Sequence, residues 1–310
     1  MVSTGEQKQA TLPAWNELTE ACVRVDLDWE YPQADDRGGV SADKDNYVAL
    51  VKEMRAAFGN TYGISLTLPT SYWYLQHFDL AEIQPNINWS VANMIFGSCA
   101  VADLLIGSIL WRKRRTLCSV FVVLTSSRYD LHGVWDAQSI FVGPYVASHT
   151  NLTEIDLGMD LLWRAGVTPD KVVLGQGWYG RSFTLKDPSC NVPNGICQFS
   201  GPASPGPCSN AAGILDDQEI QDIISKNGLK PQYDEKAAVK WITWDSNQWI
   251  SYDDDETFAQ KRAFANNRCL GGTMVSACFV RDCYGADASL GVGHGSSLAV
   301  GQQQSQRCQY

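Results

Sequence analysis

The segment VRVDLDWEYP, residues Val23–Pro32, decides the fold prediction and points to the chemistry. Apolar and acidic residues alternate through its first part, which is typical of a β-strand that ends in a polar tip. Asp26, Asp28 and Glu30 stand at every second position, so a strand would present all three carboxylates on one face. Because like charges this close cannot all ionise freely, we expect the group to retain a proton near neutral pH.

Two interpretations of these carboxylates stay open from the spacing alone. A retained proton is what a general acid needs, and the neighbours Trp29, Tyr31 and Pro32 form apolar surroundings that would raise a carboxyl pKa. The alternative is a polar strand end or a cation site without catalysis.

Strands and helices alternate outward from this segment. Repeats of this kind are typical of a parallel sheet with crossover helices. The predicted elements are a strand at Val23–Trp29, a helix at Asp43–Phe58 ended by Gly59, a strand at Tyr62–Leu68 stopped by Pro69, a helix capped by Asn151 and ended by Gly166, a strand at Val172–Gly177, a helix that starts near Asp253 and a strand at Gly271–Phe279.

A cysteine-rich stretch interrupts the alternation between residues 183 and 245. Cys190, Cys197 and Cys208 lie there among many Gly, Pro and Ser residues, and a short predicted helix follows at Asp217–Asn227. We interpret 183–245 as an inserted α+β subdomain whose loop is held by disulfide bonds, with the pairing left open. Disulfides imply secretion, although the N-terminal residues do not have the pattern of a signal peptide.

The composition excludes several classes of protein. With 310 residues, 45% of them hydrophobic, the chain can bury one large core or two smaller ones and is not a disordered polymer. Its net charge of −10 argues against nucleic-acid binding, which needs clustered Lys and Arg. The lack of CxxC pairs and the 4 histidines give no sign of a zinc site. The 11 tryptophans are consistent with core packing or with stacking on sugar rings.

Residues Ile95–Arg128 fit no element of this pattern, because two apolar runs flank the basic cluster WRKRR. The first run is shorter than the roughly 20 residues of a membrane span and contains Asp103, which makes membrane insertion the less favoured interpretation. The favoured one is a sequence that was not selected to fold at this position.

VDLDWEYP resembles the fourth-strand signature of glycoside hydrolase family 18, the chitinases built on a (β/α)8 barrel. With the cysteine-rich insertion, the later motifs resemble the filamentous-fungal chitinases related to killer-toxin subunits. The resemblance runs from about Val25 to Thr273 without Ile95–Arg128. In family order the further motifs are SYWYLQHFD at Ser71–Asp79, YDLHGVWD at Tyr129–Asp136, HTNLTEI at His149–Ile155, GWYGRSF at Gly177–Phe183 and WISYDDDETFAQK at Trp249–Lys261.

The resemblance implies a role for each matched residue. Glu30 matches the general acid that protonates the glycosidic oxygen, Asp28 the carboxylate that stabilises the oxazolinium, and Asp26 the deeper Asp that shares a proton with it. In such substrate-assisted hydrolysis the acetamido oxygen of the substrate is the nucleophile, and no cofactor is implied. The other matched residues are Tyr129 and Asp130 beside the acetamido group, Tyr179 and Arg181 as substrate contacts, and Trp135 and Trp73 as sugar platforms, with core packing as the alternative for Trp73.

The chain departs from the family pattern at three places. Val23 and Arg24 stand where the family has Asp-Gly, and the loss of that Asp should mis-set the charge of Asp26. Ser276 stands where the family has the Trp that forms the floor of the −1 subsite, so a stacking surface is lost. Ser127 and Arg128 precede Tyr129 where the family has a Met, and Met94 is a candidate for the displaced Met.

The resemblance also implies a TIM-type α/β barrel that is incomplete, because residues 1–22 are too short for strands 1–3. An imperfect gene model, with a late start, translated intron sequence at 95–128 and a shifted C-terminus after about Met274, would explain the departures together. The expected division is a non-matching segment at 1–22, the barrel at 23–182 and 246–280 with an anomalous insertion at 95–128, the α+β subdomain at 183–245, and a disordered tail at 285–310.

These inferences predict a chitinase that cleaves β-1,4-N-acetylglucosamine linkages in chitin. We expect a monomer that binds chitin and chito-oligosaccharides and neither nucleic acid nor membrane. The family resemblance implies an extracellular location, without an export signal in this chain. The alternatives are an inactive chito-oligosaccharide-binding pseudoenzyme and a non-functional truncated gene product.

Overall fold

The computed structural model describes residues 24–69, 71–93 and 130–276, an α/β arrangement with two sheets. The predictions for 1–22, Met94, Ile95–Arg128, Tyr129 and the tail from Gly285 lie outside the described residues. The strands are β1 (Arg24–Leu27), β2 (Gly63–Pro69), β3 (Trp89–Asn93), β4 (Val172–Gly177), β5 (Tyr179–Leu185), β6 (Phe199–Pro202), β7 (Ile214–Asp216), β8 (Gln232–Asp234), β9 (Val239–Trp244), β10 (Gln248–Tyr252) and β11 (Gly272–Ser276). The helices are α1 (Asp43–Phe58), α2 (Tyr72–Leu75), α3 (Leu80–Ile83), α4 (Leu152–Arg164), α5 (Asp217–Asn227) and α6 (Asp255–Asn267).

The first sheet has the order β1-β2-β3-β4-β11, and each neighbouring pair is parallel. Its spatial order is therefore the chain order, so each connection has to cross back over a face of the sheet. Helix α1 provides this crossover between β1 and β2. The parallel sheet with crossover helices predicted from the sequence is present.

The largest core lies between α1 and this sheet. From α1, Tyr47, Val51 and Met54 are buried, and they pack with Ile64 and Leu66 of β2 in one hydrophobic cluster. The apolar positions of α1 recur at helical spacing, so one face of the helix covers the sheet. Asp45, Lys52 and Glu53 are exposed, whereas Asp43 in the first turn is buried.

Local sequence signals account for most element boundaries. The bounds predicted for α1, α5 and β4 are those observed. Asn151 caps α4 as predicted, since its side chain accepts a hydrogen bond from the N–H of Thr153 at 2.9 Å.

Other predicted boundaries differ from the observed ones by one or two residues. Strand β2, predicted at Tyr62–Leu68 and stopped by Pro69, runs from Gly63 to Pro69. Strand β1 ends at Leu27, not at Trp29, so Asp28 and Glu30 lie just beyond the ladder. Helix α6 begins at Asp255 with Asp254 as its cap, because Asp254 accepts from the N–H of Thr257 while the Asp253 carboxylate binds Lys261.

The second sheet is antiparallel and contains β5 to β10. It starts at Tyr179 and ends at Tyr252, so it extends beyond residues 183–245 at both ends. A disulfide joins Cys190 to Cys197, which confirms a disulfide-held loop, and Cys208 is buried with a free thiol. No helix in the described part of the chain is both long and apolar enough to cross a membrane.

We predict that Leu66→Ala lowers the free energy of unfolding by about 2–5 kcal/mol, because it leaves a cavity at a fully buried position of β2. Leu157→Ala is the matched control, since Leu157 on α4 is 65% exposed and its loss should change stability by less than about 0.5 kcal/mol. Urea unfolding followed by circular dichroism measures both variants. Equal losses in the two would contradict the assignment of β2 to the core.

Candidate active site

Several of the predicted site residues lie beyond the carboxyl ends of the parallel strands. Asp28 and Glu30 follow β1, Trp73 follows β2, and Tyr179 follows β4. Carboxyl ends of parallel strands share one edge of the sheet, which is where (β/α)8 barrels place their active sites.

Glu30 is largely buried beside Arg37 and the neighbouring Tyr31. Its side chain is 12% exposed, and its Oε2 is 3.4 Å from Nη1 of Arg37. The Arg37 guanidinium lies over the ring of Tyr31 at 5.3 Å, and Tyr31 stacks on Tyr74 with centroids 4.3 Å apart. Burial and the charge of Glu30 raise the pKa of the Tyr31 phenol, so this residue stays neutral. The peptide bond between Glu30 and Tyr31 is cis.

The loop after Glu30 is fastened to the start of α1 by Asp43. This buried carboxylate accepts the backbone N–H of Gln33 at 3.1 Å and of Val40 at 2.7 Å through Oδ2. A side chain of the adjacent helix thus holds the loop in place. Asp28 is partly buried beside this loop. The structure describes neither the side chain of Asp26 nor Tyr129, so the geometry predicted for the full carboxylate group stays a prediction.

Asp130 is the centre of a buried polar network. Arg181 on β5 binds it in a bidentate manner, with Nε 2.5 Å from Oδ1 and Nη2 2.5 Å from Oδ2. The Tyr179 hydroxyl donates to Oδ2 at 2.9 Å. Burial alone would raise the pKa of Asp130, but the charge and hydrogen bonds of Arg181 hold it below its usual value. Asp130 is therefore an ionised carboxylate with two fixed donors.

His149 contacts the same aspartate from the other side. The backbone N–H of Asp130 donates to Nδ1 of His149 at 3.4 Å, and the imidazole lies 5.4 Å from the Tyr179 ring. Asp130 has a left-handed backbone with φ of 65°, a conformation that Asp tolerates better than most residues. The structure thus brings three of the predicted site residues, Asp130, Tyr179 and Arg181, into direct contact.

The two predicted tryptophan platforms lie in different surroundings. Trp73 is 68% exposed on α2, so the core-packing alternative for it was wrong. Trp135 is partly buried, and the Arg181 guanidinium lies 5.0 Å from its ring. Its indole also packs against Gly133, where a Cβ would come within 2.2 Å of the ring.

His132 forms a second charged cluster next to the site. Its Nδ1 is 2.8 Å from Oδ2 of Asp136, and its Nε2 is 2.8 Å from Oε2 of Glu154. Burial would lower the pKa of His132, but these two carboxylates raise it to about 9. A protonated His132 therefore ties the segment after Asp130 to the first turn of α4.

One group of potential metal ligands occurs in the described residues. Cys208, Asp216 and Glu219 place a thiol and two carboxylates within 4.8 Å of one another. The Glu219 carboxylate, however, already accepts backbone N–H groups of Cys208, Ser209 and Asp216 at 2.6 to 3.0 Å. We therefore interpret Glu219 as an anchor for its loop.

Sequence reasoning missed the histidines of this site. Two of the 4 histidines in the chain, His132 and His149, lie within the YDLHGVWD and HTNLTEI segments. This concentration of a scarce residue in motif segments was the available signal. His132 contacts Asp136 at a separation of four residues, but it contacts Glu154 at a separation of 22, and His149 contacts Asp130 at a separation of 19. Only the first of these pairs is close enough in sequence for a spacing rule.

A sequence model of the glycosyl hydrolases family 18 matches residues 20–97 and 117–277. The chain belongs to this family. A secreted chitinase, LysM12, of Penicillium expansum is 30% identical over 268 residues, which are 81% of this chain and 15% of that protein. The killer toxin subunits alpha/beta of Kluyveromyces lactis are 27% identical over 234 residues, 74% of this chain and 17% of that protein. The chain thus spans a small part of these relatives.

Solved structures of the family share the fold. A Group IV chitinase of Ostrinia furnacalis in complex with allosamidin superposes with a TM-score of 0.64 at 24% identity, over 87% of this chain and 64% of the other. A chitinase-like agglutinin of Robinia pseudoacacia reaches a TM-score of 0.60 at 19% identity, over 87% and 67%. These likenesses identify a TIM-barrel-type fold.

We predict that the stability contributed by His132 depends on pH. The folded pKa of about 9 exceeds the ordinary 6.5, so the contribution is complete below about pH 6.5 and is lost as the pH rises through 9. A shift of this size corresponds to about 3 kcal/mol. Urea unfolding should show that His132→Gln is strongly destabilising at pH 6 and nearly neutral at pH 9.5. The same loss at both pH values would contradict a charged His132.

Proposed function

We propose that this chain is a chitinase unit that hydrolyses β-1,4-linked N-acetylglucosamine by a substrate-assisted, retaining mechanism. The observation that carries the proposal is that Glu30, Asp28 and the Asp130–Tyr179–Arg181 cluster lie beyond the carboxyl ends of strands in one parallel sheet. Membership of glycosyl hydrolases family 18 supports the reaction type.

In the proposed reaction Glu30 donates its proton to the glycosidic oxygen while the acetamido oxygen of the substrate attacks the anomeric carbon. The leaving sugar departs as an alcohol, and a cyclic oxazolinium remains. Asp28 stabilises the positive charge on the acetamido nitrogen, and Asp26 shares a proton with Asp28. Glu30, now ionised, then removes a proton from the water that opens the ring.

Asp130 and its neighbours would hold the acetamido group in the attacking geometry. Because the nucleophile belongs to the substrate, the protein gains rate mainly by orienting it. An ionised Asp130 with fixed donors on both oxygens is a rigid element for this purpose. Tyr129, next to it in sequence, is proposed to act with it, and Trp135 and Trp73 to stack on sugar rings.

At the level of individual strands, we propose that β1, β2, β3, β4 and β11 correspond to strands four to eight of the family's barrel. Strand β3 ends at Asn93, so Met94 would occupy the family position before the strand-six Tyr. The proposed division keeps 23–182 and 246–280 as barrel and 183–245 as the α+β subdomain, with the sheet of the subdomain extending to β5 and β10 at its two borders. We also propose an extracellular monomer that binds chitin and chito-oligosaccharides.

We expect purified protein to release fluorophore from a fluorogenic chitobioside, and Glu30→Gln to lower kcat by about 10² to 10⁴-fold, because a general acid is lost. Glu53→Gln on the exposed side of α1 is the matched control and should retain activity. Intact folding of both variants is checked by circular dichroism.

The same assay separates the enzyme from the binding-protein alternative. A wild type and Glu30→Gln that are equally inert, while both bind chito-oligosaccharide in calorimetry, would favour a pseudoenzyme. Such a role has a parallel in the structural neighbour from Robinia pseudoacacia, which is a chitinase-like agglutinin. Neither binding nor hydrolysis would overturn both proposals.

Residues 95–128 are proposed to derive from translated intron sequence. The family match breaks between residues 97 and 117, inside this segment. Full-length transcript sequencing should then show messages that lack this stretch and join Asn93–Met94 closely to Tyr129. Continuous coding through 95–128 in every transcript would contradict the idea.

A further inference from the structure

A second set of buried charges lies behind Asp130. Asp253 comes directly after β10, a strand that pairs with β5 and places Ser251 opposite Arg181. The Lys261 ammonium, in a residue only 2% exposed, contacts Oδ1 of Asp253, and the Thr257 hydroxyl donates to the same oxygen at 2.7 Å. One oxygen of Asp253 is thus occupied by two donors.

The other carboxylate oxygen of Asp253 can be matched with a ring nitrogen of His149. Both Oδ2 of Asp253 and Nε2 of His149 are buried and have no hydrogen-bond partner among the described residues. A carboxylate oxygen accepts, and a protonated imidazole nitrogen donates. The charge of Asp253 acts on the His149 ring, so the two side chains share one electrostatic environment.

The other ring nitrogen indicates which tautomer His149 adopts. Nδ1 lies 3.4 Å both from the backbone N of Asp130, which donates to it, and from Oδ1 of the same residue. Because Arg181 Nε already donates to that oxygen at 2.5 Å, we infer that Nδ1 accepts the backbone N–H and that the proton of a neutral ring is on Nε2. Burial lowers the pKa of His149, which favours this neutral ring over imidazolium. The charged groups that act on the ring are Asp130, Arg181 and Asp253, and the titratable Tyr179 lies next to it.

We propose that Asp253, held by Lys261, fixes His149 as its Nε2–H tautomer, directly or through one buried water, and that His149 thereby positions Asp130. The hydrogen bond to Nδ1 supports the backbone N–H of a residue with φ of 65°, which local geometry alone does not favour. His149 and Asp253 are positioning residues, because His149 contacts Asp130 and Asp253 acts through His149. The consequence for hydrolysis rests on the proposed function, whereas the tautomer does not.

The tautomer is tested by ¹⁵N NMR of the full chain labelled in histidine, with His149→Asn used to assign the signals. The wild type at pH 7 should show a protonated Nε2 and an unprotonated Nδ1 for His149. In Asp253→Asn the amide oxygen has to face the Lys261 and Thr257 donors, so the NH2 group takes the place of Oδ2. Because NH2 is a donor, Nε2 of His149 then has to accept, and the ring proton should move to Nδ1. A wild-type proton on Nδ1, or an unchanged tautomer in Asp253→Asn, would overturn the proposal.

Kinetics on the fluorogenic chitobioside test the positioning step. Asp253→Asn should lower kcat/KM by up to about 100-fold, as expected for a misplaced orienting group. In a His149→Asn background, where the Asn oxygen can still accept near the Nδ1 position, the added Asp253→Asn change should have little effect. Equal losses in both backgrounds would show that Asp253 acts through general stability and would contradict the inference.

Lys240→Met is the matched control. It removes a lysine that forms ion pairs with Asp254 at 2.6 Å and Glu256 at 2.7 Å, at the start of α6, the helix that carries Lys261. No contact between Lys240 and His149 is seen among the described residues. It should leave both the His149 tautomer and kcat/KM close to wild type. If the wild type hydrolyses nothing, the proposed function fails, and the NMR result still decides the tautomer.

Discussion

The bidentate pair between Asp130 and Arg181 is the contact on which the site depends. It joins the segment that begins at Asp130 to β5, the strand that leads from the parallel sheet into the antiparallel one. Buried charges are costly to desolvate and are tolerated when paired with good geometry. The fork of Arg181 meets both carboxylate oxygens, so this pair fixes the direction of the Asp130 side chain as well as its charge.

Two histidines then support the same segment by different chemistry. His132 is held between two carboxylates that raise its pKa, and it acts as a cation that binds the segment to α4. His149 is fully buried beside Asp130, burial lowers its pKa, and its Nδ1 accepts a hydrogen bond from the Asp130 backbone. The difference follows from the number of carboxylates in contact and from exposure, because two nearby anions compensate burial and one anion already paired with arginine does not.

The elements that the sequence predicts well are those whose signals are local. Helix α1 has its apolar face, and Asn151 of α4 its cap, within one or two turns of sequence, so periodicity and capping rules suffice. The polar networks are non-local, since Asp130 meets Arg181, His149 and the surroundings of Asp253 only after the two sheets are assembled. Trp73 shows the same limit, because its exposure on α2 depends on what covers that edge of the sheet. Composition could not distinguish a core indole from an exposed one.

A substrate-assisted reaction needs carboxyl groups that differ in protonation, and different strands of one sheet can supply the different surroundings. Asp130 is held ionised by an arginine inside the protein, in a cluster built by β5 and the loop before α4. Glu30 lies after β1 beside a neutral, buried tyrosine and a guanidinium at the longer distance of 3.4 Å. In the proposed reaction Glu30 is the acid and Asp130 the orienting anion, and the two carboxyl groups are held by different strands and loops, so their surroundings differ. The parallel order of the strands places Glu30, after β1, and Tyr179, which follows β4 and donates to Asp130, beyond the same edge of the sheet.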